Sequence, residues 1–150
     1  MNTAIHREIV KSEERIRPYI RRTPFNLSAS ITELIDTEVW FKLESLQVTG
    51  SFKARGAVNK LLSLSEDERE YGIVSASTGN HGAAVAYGAK KLGTQCTIYV
   101  PQDTSPAKLE NMGLYDACIE YFGNDCIECE VKAREVSDKT GKTYISPYND

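Results

Sequence analysis

The stretch Ile73-Val74-Ser75-Ala76-Ser77-Thr78-Gly79-Asn80-His81-Gly82-Ala83-Ala84-Val85-Ala86-Tyr87-Gly88-Ala89-Lys90-Lys91-Leu92-Gly93 decides how this chain folds. Ile73 to Ala76 reads as a short strand, and Gly79 and Gly82 punctuate the turn that follows it. Ala83 to Leu92 reads as a helix that stops at Gly93, a residue suited to a helix C-terminus. The helix is rich in small residues all round, which implies close packing against a sheet and other elements.

The alternation continues outward from this βα unit. Thr97 to Val100 forms a strand stopped by Pro101. Ser105-Pro106 opens a helix through about Leu114, with proline at its favoured first position. Ala117 to Phe122 is a strand ending at Gly123. Asn124 or Asp125 caps a helix over residues 126–139, and Thr143 to Ile145 is a last short strand. Residues 72–146 therefore read β-α-β-α-β-α-β. Strands alternating with helices imply an α/β fold, a parallel four-stranded sheet flanked by helices and joined by right-handed crossovers. Ligands in such sheets sit beyond the carboxyl ends of the strands.

Toward the N-terminus the pattern is different. Ile5, Ile9, Ile16 and Ile20 recur close to a helical turn, so residues 4–17 read as an amphipathic helix. Pro18 and Pro24 break it. Ser28 caps a short helix through Ile35, and Thr37 to Leu43 is a β-branched and aromatic strand. Gly50-Ser51 turns the chain into a helix over residues 52–62.

Composition excludes several classes. The 150 residues are 41% hydrophobic and 26% charged, with a net charge of −3, as in an ordinary globular domain. The longest uninterrupted apolar run is Ala83 to Tyr87, whereas a membrane-spanning helix needs about 20 such residues. The first residues lack the apolar core of a secretory signal, so a cytoplasmic location is expected. Basic residues gather in the first 22 positions, among them Arg21 and Arg22. They alternate with Glu8, Glu13 and Glu14 and lack any aromatic or glycine-rich reader motif, so a solvated helix face is expected rather than nucleic-acid binding.

The four cysteines are Cys96, Cys118, Cys126 and Cys129. Cys126 and Cys129 form a CxxC motif, which invites metal or redox chemistry. A zinc site would need a second pair, and none exists. Cys126, Cys129, Ala133 and Val136 fall at helical spacing, so they are expected to form one apolar stripe, and no metal site is expected.

Two segments carry chemistry. In Thr49-Gly50-Ser51-Phe52-Lys53-Ala54-Arg55-Gly56, Lys53 falls in the first turn of a helix. The helix dipole there disfavours an ammonium by roughly 0.3–1 kcal/mol, so the place suits an amine nucleophile better than a structural cation. Gly56 lies inside the helix, where glycine costs about 1 kcal/mol relative to alanine; close approach by another group would justify it. The second segment, Ser77 to Gly82, joins a strand to a helix. Its glycines admit a ligand to the backbone, and N–H groups at the helix start suit an anion. The pattern is neither GxGxxG nor GxxxxGK[ST], so a carboxylate or other small anion fits better than a dinucleotide.

Together, KLESLQVTGSFKARGA and SASTGNHGAAVAYGAKKLG resemble the pyridoxal-phosphate enzymes of the tryptophan-synthase-β fold type, closest to the threonine/serine dehydratase and serine racemase group. TIYVPQDTSPAKLENMGLYDA and the terminal SPYND also have counterparts there. The resemblance implies that Lys53 is the catalytic lysine that bonds covalently to pyridoxal phosphate and takes and returns the substrate Cα proton. It implies that Phe52 packs near the cofactor ring and that Asn80 hydrogen-bonds its 3'-oxygen. Ser77, Thr78, Gly79 and His81 match the loop for the substrate α-carboxylate. The racemase branch has serine at position 78, so Thr78 sets racemisation in doubt.

By the same resemblance, residues 1–48 form an arm belonging to a large domain and residues 49–150 the small α/β domain. The family's glycine-rich phosphate cup has no counterpart, since no two glycines are adjacent. The chain is thus expected to be the N-terminal fragment of a threonine/serine dehydratase, inactive by itself, with weak or no cofactor binding. Serine racemase, hydroxyaspartate ammonia-lyase and a non-catalytic small-molecule-binding or oligomerisation module are the alternatives. Strand 37–43, deprived of its sheet, is expected to promote a homodimer.

Overall fold

The computed structural model describes residues 3–148, so Asn149 and Asp150 of the SPYND segment lie outside the described residues. The central element is a four-stranded parallel sheet formed by β3 (Ile73–Ala76), β4 (Cys96–Val100), β5 (Cys118–Tyr121) and β6 (Thr143–Tyr144), in the order β5-β4-β3-β6. The α/β expectation holds for this region, including the parallel register, in which Ile73 lies opposite both Cys96 and Thr143. Each strand ends within one or two residues of its expected limits.

Both faces of the sheet are covered, most fully at the inner strand β3, all four residues of which are buried. On one face lie α3 (Lys53–Ser63), α5 (Asn80–Leu92) and α6 (Pro106–Gly113). They bury Ile73, Ile98 and Val100 with Leu61, Ala84 and Met112. On the other face, α7 (Cys126–Thr140) covers Val74 and Ala76 with Cys129 and Ala133. The small residues of α5 serve close packing: His81 to Ala89 are all buried. A Cβ on Gly88 would stand 2.5 Å from Leu61 Cδ1, and one on Gly82 would stand 2.9 Å from the Ser77 carbonyl oxygen.

Four features depart from the sequence reading. Helix α5 begins at Asn80 rather than Ala83, so Asn80, His81 and Gly82 form its first turn. A short helix α4 (Glu66–Tyr71) precedes β3, closed by a capping box in which Ser65 Oγ accepts from the Glu68 N–H and the Glu68 carboxylate accepts from the Ser65 N–H. The strand expected over residues 37–43 narrows to β2 (Trp40–Lys42). It is not deprived of a partner, since β1 (Phe25–Leu27) pairs with it antiparallel and Phe25 stacks on Trp40 at 5.3 Å. Finally, the apolar stripe of α7 is not covered at its first member: Cys126 is exposed, whereas Cys129 is buried.

The N-terminal segment also contains α1 (Thr3–Ile16), followed by a single 3-10 turn, and α2 (Ala29–Ile35). Only the second half of the isoleucine series is buried. Ile16 and Ile20 pack on Val58 and Tyr87, and the Tyr87 hydroxyl donates to the Tyr19 carbonyl. Ile5 and Ile9 remain exposed beside α3. A polar clamp completes the junction. Arg55 Nε and Nη2 each donate to the Glu44 carboxylate at 2.8 Å, and the Thr23 hydroxyl donates to it at 2.5 Å. This pairing holds the Glu44 carboxyl down at about 2. Buried Gln47 exchanges two hydrogen bonds with the Arg21 backbone.

Candidate active site

The strand order creates a crevice at a defined place. The chain leaves β3 through α5 toward β4, and it returns from β5 through α7 to β6 on the other side of β3. The crossovers therefore run opposite ways on either side of β3, and a gap opens beyond the carboxyl ends of β3 and β6. The loop of residues 77–79 leaves β3 there, and residues 145–148 leave β6 there.

Lys53 is brought to this crevice by the start of α3. Ser51 Oγ accepts from the Lys53 backbone N–H at 3.3 Å and fixes the first turn. The Lys53 Nζ donates to the Pro147 carbonyl at 3.0 Å and lies 5.7 Å from the centre of the Phe52 ring. Lys53, Phe52, His81, Ser146 and Tyr148 line a cavity of about 170 Å³. Phe52 is 62% exposed, so its ring forms an open wall rather than part of the core. His81 Nε2 lies 3.3 Å from the Ile145 carbonyl oxygen, which also accepts from Ser75 Oγ at 2.8 Å. Gly56 borders the same space, and a Cβ there would meet nothing within 4 Å. The chain's own packing therefore does not require glycine at this position.

Three of the four remaining expected site residues line a neighbouring hollow of about 300 Å³ at the start of α5, and Ser77 lines neither space. Thr78, Gly79 and Asn80 form one side of it, and Lys108 and Asn111 of α6 face them. Ser77 Oγ accepts from the Gly79 N–H at 3.2 Å and shapes the turn. The expected set is thus divided. Lys53, Phe52 and His81 share the first cavity, while Thr78, Gly79 and Asn80 share the second. His81 joins the two, because it follows Asn80 in the same helical turn while its ring reaches Ile145, just past β6.

Sequence reasoning missed Lys108 and Asn111, and it missed the wall formed by Ile145 to Tyr148. Helix periodicity at SPAKLEN gives no sign of which face meets the 77–80 loop. SPYND stood out only by resemblance. Among the described residues no cluster of His, Cys, Asp or Glu is arranged to hold a metal ion, and no helix is long and apolar enough to cross a membrane.

Comparison with known proteins fits this geometry. Residues 16–150 match the family described as pyridoxal-phosphate dependent enzyme. A putative threonine dehydratase of Sinorhizobium fredii is 38% identical over 141 residues, which cover 94% of this chain and 42% of the relative. The catabolic L-threonine dehydratase TdcB of Staphylococcus aureus is 38% identical over 144 residues, 95% of this chain and again 42% of the relative. Maize serine racemase superposes with a TM-score of 0.90 at 35% identity, covering 96% of this chain and 44% of that one. The processed form of threonine deaminase isoform 2 from Solanum lycopersicum gives 0.92 at 26% identity, covering 100% of this chain and 44% of that one. The chain spans less than half the length of these relatives.

Proposed function

Because this chain belongs to the pyridoxal-phosphate-dependent enzymes, the family matched by residues 16–150, we propose that it supplies the lysine-bearing half of a threonine/serine dehydratase. The reaction is β-elimination of a hydroxyamino acid to a 2-oxo acid and ammonia. The observation that carries the proposal is the Lys53 amine, held at a helix start and opening into a cavity at the point where the strand order reverses. In the same proposal, residues 1–48 are an arm of the large domain and residues 49–150 the small domain. The clamp of Arg55 by Glu44 then keeps the arm against the helix that carries Lys53.

The residues present fit the cofactor. Lys53 offers a primary amine, the exposed Phe52 ring offers a flat apolar wall, and the space beside Gly56 is open. When bound, the cofactor supplies an electron sink for the negative charge that develops at the substrate Cα. Lys53 Nζ removes the proton at that carbon and returns it, having left the Pro147 carbonyl. The N–H groups at the start of the 13-residue helix α5, together with the Ser77 and Thr78 hydroxyls, orient the substrate carboxylate. In this reading Asn80 would hydrogen-bond the cofactor ring's oxygen, and His81 braces the turn against the Ile145 carbonyl. The dehydratase reading is preferred to a racemase because two threonine dehydratases are among the relatives at 38% identity. Thr78 also departs from the serine of the racemase branch.

Trapping tests the assignment of Lys53. Incubation with pyridoxal phosphate, borohydride reduction and peptide mapping should place the label on Lys53, with the label lost in Lys53→Ala. Label spread evenly over the surface lysines, unchanged by the substitution, would overturn it. The separate 150-residue chain is expected to bind the cofactor weakly and to release no ammonia from threonine; vigorous ammonia release would refute that part.

A further inference from the structure

The CxxC motif plays no part in the proposed reaction, and its surroundings differ at the two cysteines. Cys126 is exposed and is the first residue of the 15-residue helix α7. Cys129 is buried one turn later, against Val74 and Ala76 of β3. Residues three apart on a helix share a face, with Cβ atoms about 5–6 Å apart. A disulfide needs about 3.5–4.5 Å, so closure requires a small adjustment of the first turn. That turn is held by side-chain caps rather than by intrahelical bonds: Asp125 Oδ1 accepts from the Glu128 N–H at 2.8 Å, and the Glu128 carboxylate accepts from the Asn124 N–H at 2.6 Å. Its first backbone hydrogen bond, from Cys129 N–H to the Asp125 carbonyl, is already long at 3.3 Å. The Cys129 thiol donates to the Phe122 carbonyl at 3.0 Å, so its sulfur is turned back toward the start of the helix.

We propose that Cys126 and Cys129 form a reversible intramolecular disulfide, with Cys126 as the attacking thiol and Cys129 as the resolving one. Cys126 is exposed, so its sulfur is open to a reagent in solution, whereas Cys129 is buried. Burial pushes the Cys129 thiol up to about 11, with the charges of Cys126, Asp125 and Glu128 adding to it, so Cys129 is the poorer first nucleophile. The oxidant is a low-molecular-weight disulfide. The Cys126 thiolate attacks one of its sulfurs, its S–S bond breaks, and one small thiol leaves with the proton lost by Cys126. Cys129 then attacks the Cys126 sulfur of the mixed disulfide, and its proton goes with the second small thiol. The protein loses two hydrogens, and the small disulfide becomes two thiols.

The other two cysteines cannot form the equivalent bond. Cys118 lies opposite Thr97 in the β4–β5 register, so Cys96 projects from the other face of the sheet. Closure of the α7 pair would bear on the reaction site. Cys129 packs on Ala76, the residue directly before the Ser77–Asn80 turn.

The test is titration of the whole chain with oxidised glutathione, followed by intact mass measurement and peptide mapping without reduction. The expected product has lost two hydrogens, links Cys126 to Cys129 and reverts with dithiothreitol. It persists in the Cys96→Ser/Cys118→Ser double variant and is replaced by a stable Cys126 glutathione adduct in Cys129→Ala. In the reduced chain, Cys126 should alkylate at least about tenfold faster than Cys129. A wild-type chain that accumulates only glutathione adducts, or that links Cys118 to either partner instead, overturns the proposal. The wild-type mapping decides the matter even if Cys129→Ala fails to fold.

Discussion

Replacing Glu44 with glutamine should loosen the N-terminal arm from α3 while leaving every apolar contact in place. The Glu44 carboxylate accepts two hydrogen bonds from Arg55 and one from the Thr23 hydroxyl. A glutamine keeps one acceptor oxygen and turns an NH₂ group toward the guanidinium. The carboxyl is held at about 2 against an ordinary 4.5. At about 1.4 kcal/mol per pH unit, that difference sets a ceiling of roughly 3.5 kcal/mol. The two side chains retain 29% and 18% of their exposure, so solvent screening lowers the expected loss to about 1–2 kcal/mol near neutral pH. The sign follows from a lowered carboxyl. The wild-type advantage is complete above about 4.5 and fades as pH falls toward about 2, with under half of it left at about pH 3. Urea unfolding followed by circular dichroism, for both proteins at several pH values between about 3 and 7, measures it. A loss under about 0.3 kcal/mol at neutral pH, or a difference that stays constant down to about pH 3, would refute the clamp as an energetic link.

Three further outcomes are expected. Gly82→Ala should destabilise the chain by about 1–3 kcal/mol in thermal unfolding, because its Cβ would press on the Ser77 backbone at 2.9 Å, which cannot yield as a side chain can. The same substitution should weaken cofactor trapping at Lys53 by disturbing the 77–80 turn. Leu61→Ala removes a fully buried side chain from between α3 and α5 and should cost about 2–5 kcal/mol by denaturant titration. Ser65→Ala breaks the capping box of α4 and should cost about 0.5–2 kcal/mol, with hydrogen exchange faster over residues 66–71.

The isoleucine series shows where local pattern stops being informative. Its period correctly indicates a helix, yet Ile16 is buried and Ile5 exposed on the same stripe. Which half is covered depends on where Val58 and Tyr87 come to lie, and those residues belong to other elements. Strand β1 escaped notice because three residues beside Pro24 carry too little pattern. Its pairing with β2 is what makes it a strand. Helix α5 begins three residues earlier than its apolar run because the Ala83 N–H already bonds to the Gly79 carbonyl and His81 is held at the Ile145 carbonyl, neither of which depends on hydrophobic period.

The parallel βαβ order, the lysine at a helix start and the glycine-bearing turn after β3 are legible in the residues alone. These are local matters of strand and helix period, capping and glycine tolerance, all contained within short windows. Folding of the whole chain brings Lys53 to the carbonyl of Pro147, 94 residues away, and His81 to Ile145, 64 residues away. It also divides the site between two neighbouring hollows, and buries one cysteine of the CxxC motif while the other faces water. Such contacts arise when the strand order folds back at β3, and residue spacing along the chain does not carry that information.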